Sequence, residues 1–165
     1  MTPQTAATSA PVQKTISVKA TPERAFRVFT EEFDGWWPRS HHIGKSPMKK
    51  AIVESHVGGR CYTEQVDGTD CDWGRIVAWE PPQRFVMAWL IDAQWQYQAD
   101  ASQCSEVEVR FTAQADGTTR VDLEHRSFER MGASGTNMRM MVDSPGGWGM
   151  TLELYAGHLA RESAL

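Results

Sequence analysis

The 165-residue chain has no apolar run approaching the roughly 18–20 residues that cross a bilayer as a helix, so no membrane partner is expected. Met1 to Val12, rich in Thr, Ala and Pro, has no Lys or Arg and no apolar core of a secretion signal. Basic charge is also short: 17 Lys and Arg stand against 21 Asp and Glu, and the longest basic run is Lys49-Lys50 beside Lys45. A phosphate backbone would find no electropositive face, and no nucleic-acid partner is expected. Only three cysteines occur, Cys61, Cys71 and Cys104, with no CxxC pair. An odd number cannot all be bridged within one chain, which points to a reducing compartment and a cytoplasmic location. GxSxG, P-loop and GxGxxG patterns are missing, and His56, Cys61 and Cys71 match no zinc spacing. No metal and no cofactor are expected.

What remains is an ordinary globular composition, 41% apolar and 23% charged, in a chain long enough to bury one core without disulfides. No repeat or internal linker divides it, so residues 1–11 read as a disordered tail and 12–165 as a single domain. Val12, Ile16 and Val18 share one parity and give a first strand. Thr21-Pro22 reads as an N-cap with proline at the first helical position, and Ala25, Phe26, Phe29 and Phe33 then recur at helical spacing. The spacing predicts a short helix pair ending near Gly35, stopped by Trp36-Trp37-Pro38.

Six strand candidates follow: Lys50 to His56, Arg60 to Val66, Gly74 to Glu80, Arg84 to Ile91, Glu106 to Ala113 and Thr119 to Glu129. Gly58-Gly59, Asp67-Gly68, Pro81-Pro82 and Asp116-Gly117 separate them as the turns of an antiparallel sheet. Val107, Val109 and Phe111 alternate with Glu106, Glu108 and Arg110, as do Val121 and Leu123 with charged neighbours, so one face is wet and one dry. After a short helix around Asn137 to Val142, Ser144-Pro145-Gly146-Gly147 opens a last helix with Trp148, Leu152, Tyr155 and Leu159 in one stripe. Strand, helix pair, six strands and long helix make an α+β layout, and a sheet that curves around a helix without fully touching it leaves a pocket.

These segments resemble the SRPBCC superfamily, also called START-like or birch-pollen-allergen-like, in the branch similar to the C-terminal domain of the activator of heat-shock protein 90 ATPase. The resemblance is carried by Thr21 to Phe26, Phe33 to Pro38, Gly58-Gly59-Arg60, Trp73 to Ile76, Trp79 to Pro82, Phe85 to Trp89, Thr119 to His125 and Gly146-Gly147-Trp148, and spans Val12 to Leu159. It implies a helix-grip fold: a curved antiparallel sheet wrapped around the long C-terminal helix, with a deep cavity between them. Members include lipid and hormone carriers, cyclases and aromatases, self-sacrificing resistance proteins and co-chaperone domains, so fold alone leaves the role open.

Seven tryptophans are the chain's most distinctive feature. In such a fold Trp36 and Trp37 from the helix pair, Trp89 from a central strand and Trp148 from the last helix converge on one pocket, with Leu152 and Tyr155 from the helix stripe. His125 shares parity with Val121 and Leu123 and is expected on the dry face, as a satisfied core residue or a ligand-contacting group; Glu124 points the other way. His41 and His42 fall in the loop after the Trp pair, and His42 joins His125 as a candidate for proton transfer. The leading expectation is a binder of a small apolar or aromatic ligand. The alternatives are a cyclase-, aromatase- or hydrolase-like enzyme using a cavity histidine, and a stress-linked co-chaperone domain with a chaperone partner. A homodimer stays open.

Overall fold

The computed structural model describes residues 10–163; most of the expected tail, residues 1–9, lies outside the described residues. Seven strands form one curled antiparallel sheet: β1 (Val12–Val18), β2 (Met48–Val53), β3 (Arg60–Gln65), β4 (Asp70–Glu80), β5 (Arg84–Trp89), β6 (Ser105–Ala113) and β7 (Thr119–Arg126), in spatial order β1-β7-β6-β5-β4-β3-β2. Among the described residues four α-helices accompany it, α1 (Pro22–Glu31), α2 (Phe33–Trp36), α3 (Gly135–Val142) and α4 (Trp148–Ser163), with short 3-10 turns at Ala101–Gln103 and Phe128–Ser134. This is the α+β layout expected from the residue pattern and the helix-grip fold implied by the resemblance.

Local chemistry accounts for the element ends. Arg24 N donates to Thr21 Oγ1 at 3.2 Å, the expected N-cap, and β6 and β7 pair in register from Glu106↔Arg126 to Ala113↔Thr119. Val107, Val109, Val121 and Leu123 are buried on the concave face. On the convex face Arg126 and Arg84 each reach Glu108 at 2.6 Å. Burial works against that carboxylate, yet hydrogen bonds from Arg84 and Arg126 hold it below the usual range. The wet and dry faces read from alternation are therefore an ion-pair lattice outside and a hydrocarbon lining inside.

β4 begins at Asp70, four positions earlier than the alternation places it, and its pairing explains why. Against β3, Cys61 pairs with Gly74 and Tyr62 with Asp72, so Trp73 is the extra residue of a β-bulge. Against β5, Ile76 pairs with Met87 and Ala78 with Val86, leaving Val77 as a second one. The first bulge interrupts the two-residue period, so Trp73 and Ile76 are both buried although simple alternation would put them on opposite faces. The helix pair and α4 close the concave side. Tyr155 donates from its hydroxyl to Ala25 O at 2.8 Å, and its ring meets Phe29 and Trp36 edge-on, with centroids at 4.9 and 5.4 Å.

Candidate ligand-binding site

At its Tyr155 turn α4 packs on the helix pair, and at its first turn Trp148 touches the sheet through His125 and Trp89. There a cavity of about 660 Å³ opens, within the range of small-molecule sites. Its inner walls are Trp37, Trp73, Trp89 and Trp148. The rings of Trp37 and Trp73 lie parallel within 2°, centroids 5.6 Å apart, while Trp89 stands edge-on to both Trp73 and Trp148 at 5.6 Å. Four indoles so arranged form a continuous aromatic wall of faces and edges, against which a planar ring system can lie.

The mouth is made by the loop after α2, the start of α4, α3 and the β5–β6 loop. His41, His42 and Ile43 come from the first of these, Met140 and Met141 from α3, and Trp95 from the last. His41 is tied down: its Nε2 donates to Gly146 O at 3.0 Å, its Nδ1 lies 3.1 Å from Ser40 Oγ, and its carbonyl accepts Trp37 Nε1–H at 2.8 Å. The bond to Gly146 fastens the loop to the beginning of α4. Gly147 belongs to the same junction, because a Cβ there would overlap the carbonyl oxygen of Val142 at the end of α3. Thr151 and Ser144, which also line the space, spend their hydroxyl protons on Gly147 O and Met141 O.

Among the described residues three polar atoms are left over. His42 Nδ1, Trp73 Nε1 and Trp89 Nε1 are buried without a hydrogen-bond partner, and all three belong to residues lining this one cavity. An indole N–H can only donate, so the two tryptophans call for acceptors. Among the described residues no Asp, Glu, Lys or Arg lines the space.

The residues expected from the sequence divide into two layers. Trp37, Trp89 and Trp148 face the cavity, and so does His42. Trp36, Leu152 and Tyr155 lie in the packed layer beside it: Trp36 donates its Nε1–H to Val28 O at 3.3 Å, and none of the three lines the space. His125 is fully buried behind the wall. Trp148 Nε1 donates to its Nδ1 at 3.0 Å, which assigns the proton of the neutral ring to Nε2, and that nitrogen donates to Ser105 Oγ at 2.8 Å. Burial pushes its pKa down to about 3, so the ring is neutral and serves as the acceptor that orients Trp148. Glu124, on the other face, accepts from Gln13 at 3.0 Å.

Sequence reasoning missed Trp73 and Trp95. The first is turned inward by a bulge that only strand pairing defines. The second stands in a loop without periodicity, and its one signal was an aromatic residue among turn formers. Among the described residues, one cluster outside the cavity gathers metal-type donors, Glu32, His158 and Glu162, with ligand atoms within 4.8 Å of one another. It is internally paired: His158 Nε2 is 3.1 Å from Glu32, and a hydrogen bond with Glu162 lowers the Glu32 pKa while raising that of Glu162. No helix among the described residues is long and apolar enough to cross a membrane.

Comparison with known proteins agrees with this architecture. The chain is 40% identical to an anthrahydroquino-gamma-pyrone synthase, Txn09, solved in complex with a ligand, over 90% of this chain and 96% of that one, with a TM-score of 0.63. It is 28% identical to the self-sacrificing resistance protein CalC from Micromonospora echinospora, over 94% and 97% of the two chains, TM-score 0.65. Protein NE0264 from Nitrosomonas europaea, at 14% identity and TM-score 0.63 over 93% and 96%, shares the fold. No match is found among curated proteins. Residues 19–158 match the model of the Activator of Hsp90 ATPase homolog 1-like proteins, and the chain belongs to that family.

Proposed function

We propose that this protein binds a planar, uncharged, oxygen-bearing polycyclic aromatic molecule in its tryptophan-lined cavity and promotes a ring closure on it. The observation that carries the reading is the aromatic wall itself: four indoles around about 660 Å³, with no carboxylate, amine or guanidinium among the described lining residues. Phosphorylated or carboxylated ligands would leave their charge unpaired there. Flat, uncharged rings suit a wall of indole faces and edges, of which Trp37 and Trp73 are a stacked pair. The 40% identity to an anthrahydroquino-gamma-pyrone synthase supports the same class of substrate.

Closing a γ-pyrone from an ortho-hydroxyaryl 1,3-dicarbonyl needs no oxidant. The phenol oxygen bonds to the far carbonyl carbon as it loses its proton, the carbonyl oxygen takes up a proton to become a hydroxyl, and that hydroxyl, protonated again, leaves as water while the adjacent CH2 loses a proton and its C–H electron pair becomes the ring C=C. The cavity would hold the two reacting arms together. We assign His42 to receive and return the proton, because His41 and the lining hydroxyls are committed to the backbone or to each other; its Nδ1, buried and unpaired here, would turn toward the ligand to do so. The three free thiols support a reducing, cytoplasmic setting.

Turnover and binding can be separated by His42→Gln. It is expected to slow closure of a hydroxyaryl 1,3-diketone by roughly 100-fold while leaving the Kd of a hydroxyanthraquinone within about threefold. Unchanged turnover in this variant removes His42 from the chemistry. Binding without any turnover in the unaltered chain leaves a sequestering protein, and stimulation of a chaperone ATPase that ignores cavity variants moves the function to the outer surface.

A further inference from the structure

The β5–β6 loop carries a residue that its own turn does not favour. Asp92 organises the turn: its Oδ1 accepts the N–H groups of Gln94 and Gln96, each at 2.9 Å, its carbonyl accepts the Trp95 N–H at 3.0 Å, and its own N–H donates to Gln96 O at 2.9 Å. Ile91 and Tyr97 bridge the base. This hydrogen-bonded frame sets Trp95 at φ +59°, in the left-handed region. Glycine or asparagine takes such a position readily, whereas a bulky side chain strains it. The occupant is nonetheless a tryptophan, 41% exposed, whose ring lines the cavity. Backbone strain and an exposed indole both oppose stability, so the fold does not account for the choice. Local conflicts of this kind collect where a ligand is gripped. Met140, 64% exposed on α3, borders the same space.

We propose that Trp95 is a specificity-determining face of the site, closing over the outer ring of a bound polycyclic molecule whose inner rings lie among Trp37, Trp73, Trp89 and Trp148. The inference rests on the aromatic-ligand reading above and assigns the residue that makes the site prefer three fused rings over two. A ligand confined to the inner slot does not reach Trp95, while a longer one is sandwiched at the mouth.

The test is calorimetric titration of the full chain with 1,8-dihydroxyanthraquinone and with 2-naphthol, comparing Trp95→Gly, Trp95→Ala and Trp95→Phe. Glycine relieves the backbone strain, so W95G is expected to melt at or above W95A, yet both should bind the tricyclic probe roughly tenfold more weakly. Binding of 2-naphthol should change by less than about twofold, and W95F, which keeps a ring, should retain the tricyclic Kd within about threefold. An unchanged tricyclic Kd in W95G overturns this inference alone, as does equal loss for both probes or a W95F chain as weak as W95G. No binding of either probe to the unaltered chain overturns the aromatic-ligand reading and this inference with it.

Discussion

Lowering the pH should destabilise this protein through His125, the neutral imidazole behind the cavity wall. In the unfolded chain the group titrates near its ordinary value of 6.5; in the folded protein burial depresses it to about 3. Below 6.5 the unfolded chain takes up a proton that the native ring refuses, so stability is undiminished above that value and is lost as pH falls toward the native one. Between about pH 7 and pH 5 linkage puts the loss at about 2 kcal/mol, a figure that hardly depends on where below about 4 the native value lies. For a chain of this size that is roughly 4–8 °C in Tm. His125→Asn isolates the effect, because its amide oxygen can still accept from Trp148 Nε1 but does not titrate. Urea unfolding of both chains at the two pH values gives the comparison. The variant will be less stable overall, since it loses ring packing on Phe128, 4.8 Å between centroids, and the bond to Ser105. The decisive quantity is the change with pH: the unaltered chain should lose about 2 kcal/mol more than H125N over the interval. Carboxylates such as Asp34 and Glu108, whose pKa values are lowered in the fold, act in the same direction at lower pH and are common to both chains. Equal pH dependence in the two proteins would refute the assignment of His125 as a buried neutral acceptor.

Two further substitutions separate the packed layer from the cavity. Tyr155→Phe leaves the buried Ala25 carbonyl without its side-chain donor and should cost about 1–2 kcal/mol in urea unfolding, while the Kd of a hydroxyanthraquinone stays unchanged, because Tyr155 does not line the space. Gly147→Ala forces a Cβ against the Val142 carbonyl and must shift the α3–α4 junction that carries Trp148 and the His41 contact. It should lower both Tm and ligand affinity, and a variant with native affinity would show that the junction is not part of the site.

How much of this was legible in the residues can be traced element by element. The stripe Trp148, Leu152, Tyr155 and Leu159 specified a helix with one buried side, and all four are buried. It could not tell that Trp148 borders open space while Leu152 and Tyr155 do not, because that depends on which loops and helices stand opposite each turn of α4. The parity of Val121, Leu123 and His125 put the imidazole on the dry side, and there it is. Its partners, Trp148 and Ser105, come from elements 23 and 20 residues away, and they make it a support for the wall.

Pattern and composition by themselves determined the α+β class, the strand set and the abundance of indole, because alternation, helical spacing and turn residues act over a few neighbours and each carries its own physical reason. Tertiary structure decided which indoles meet. A bulge at Trp73 exists only relative to the strand beside it, a cavity is the misfit between two surfaces, and an unpaired N–H is defined by every atom that fails to reach it.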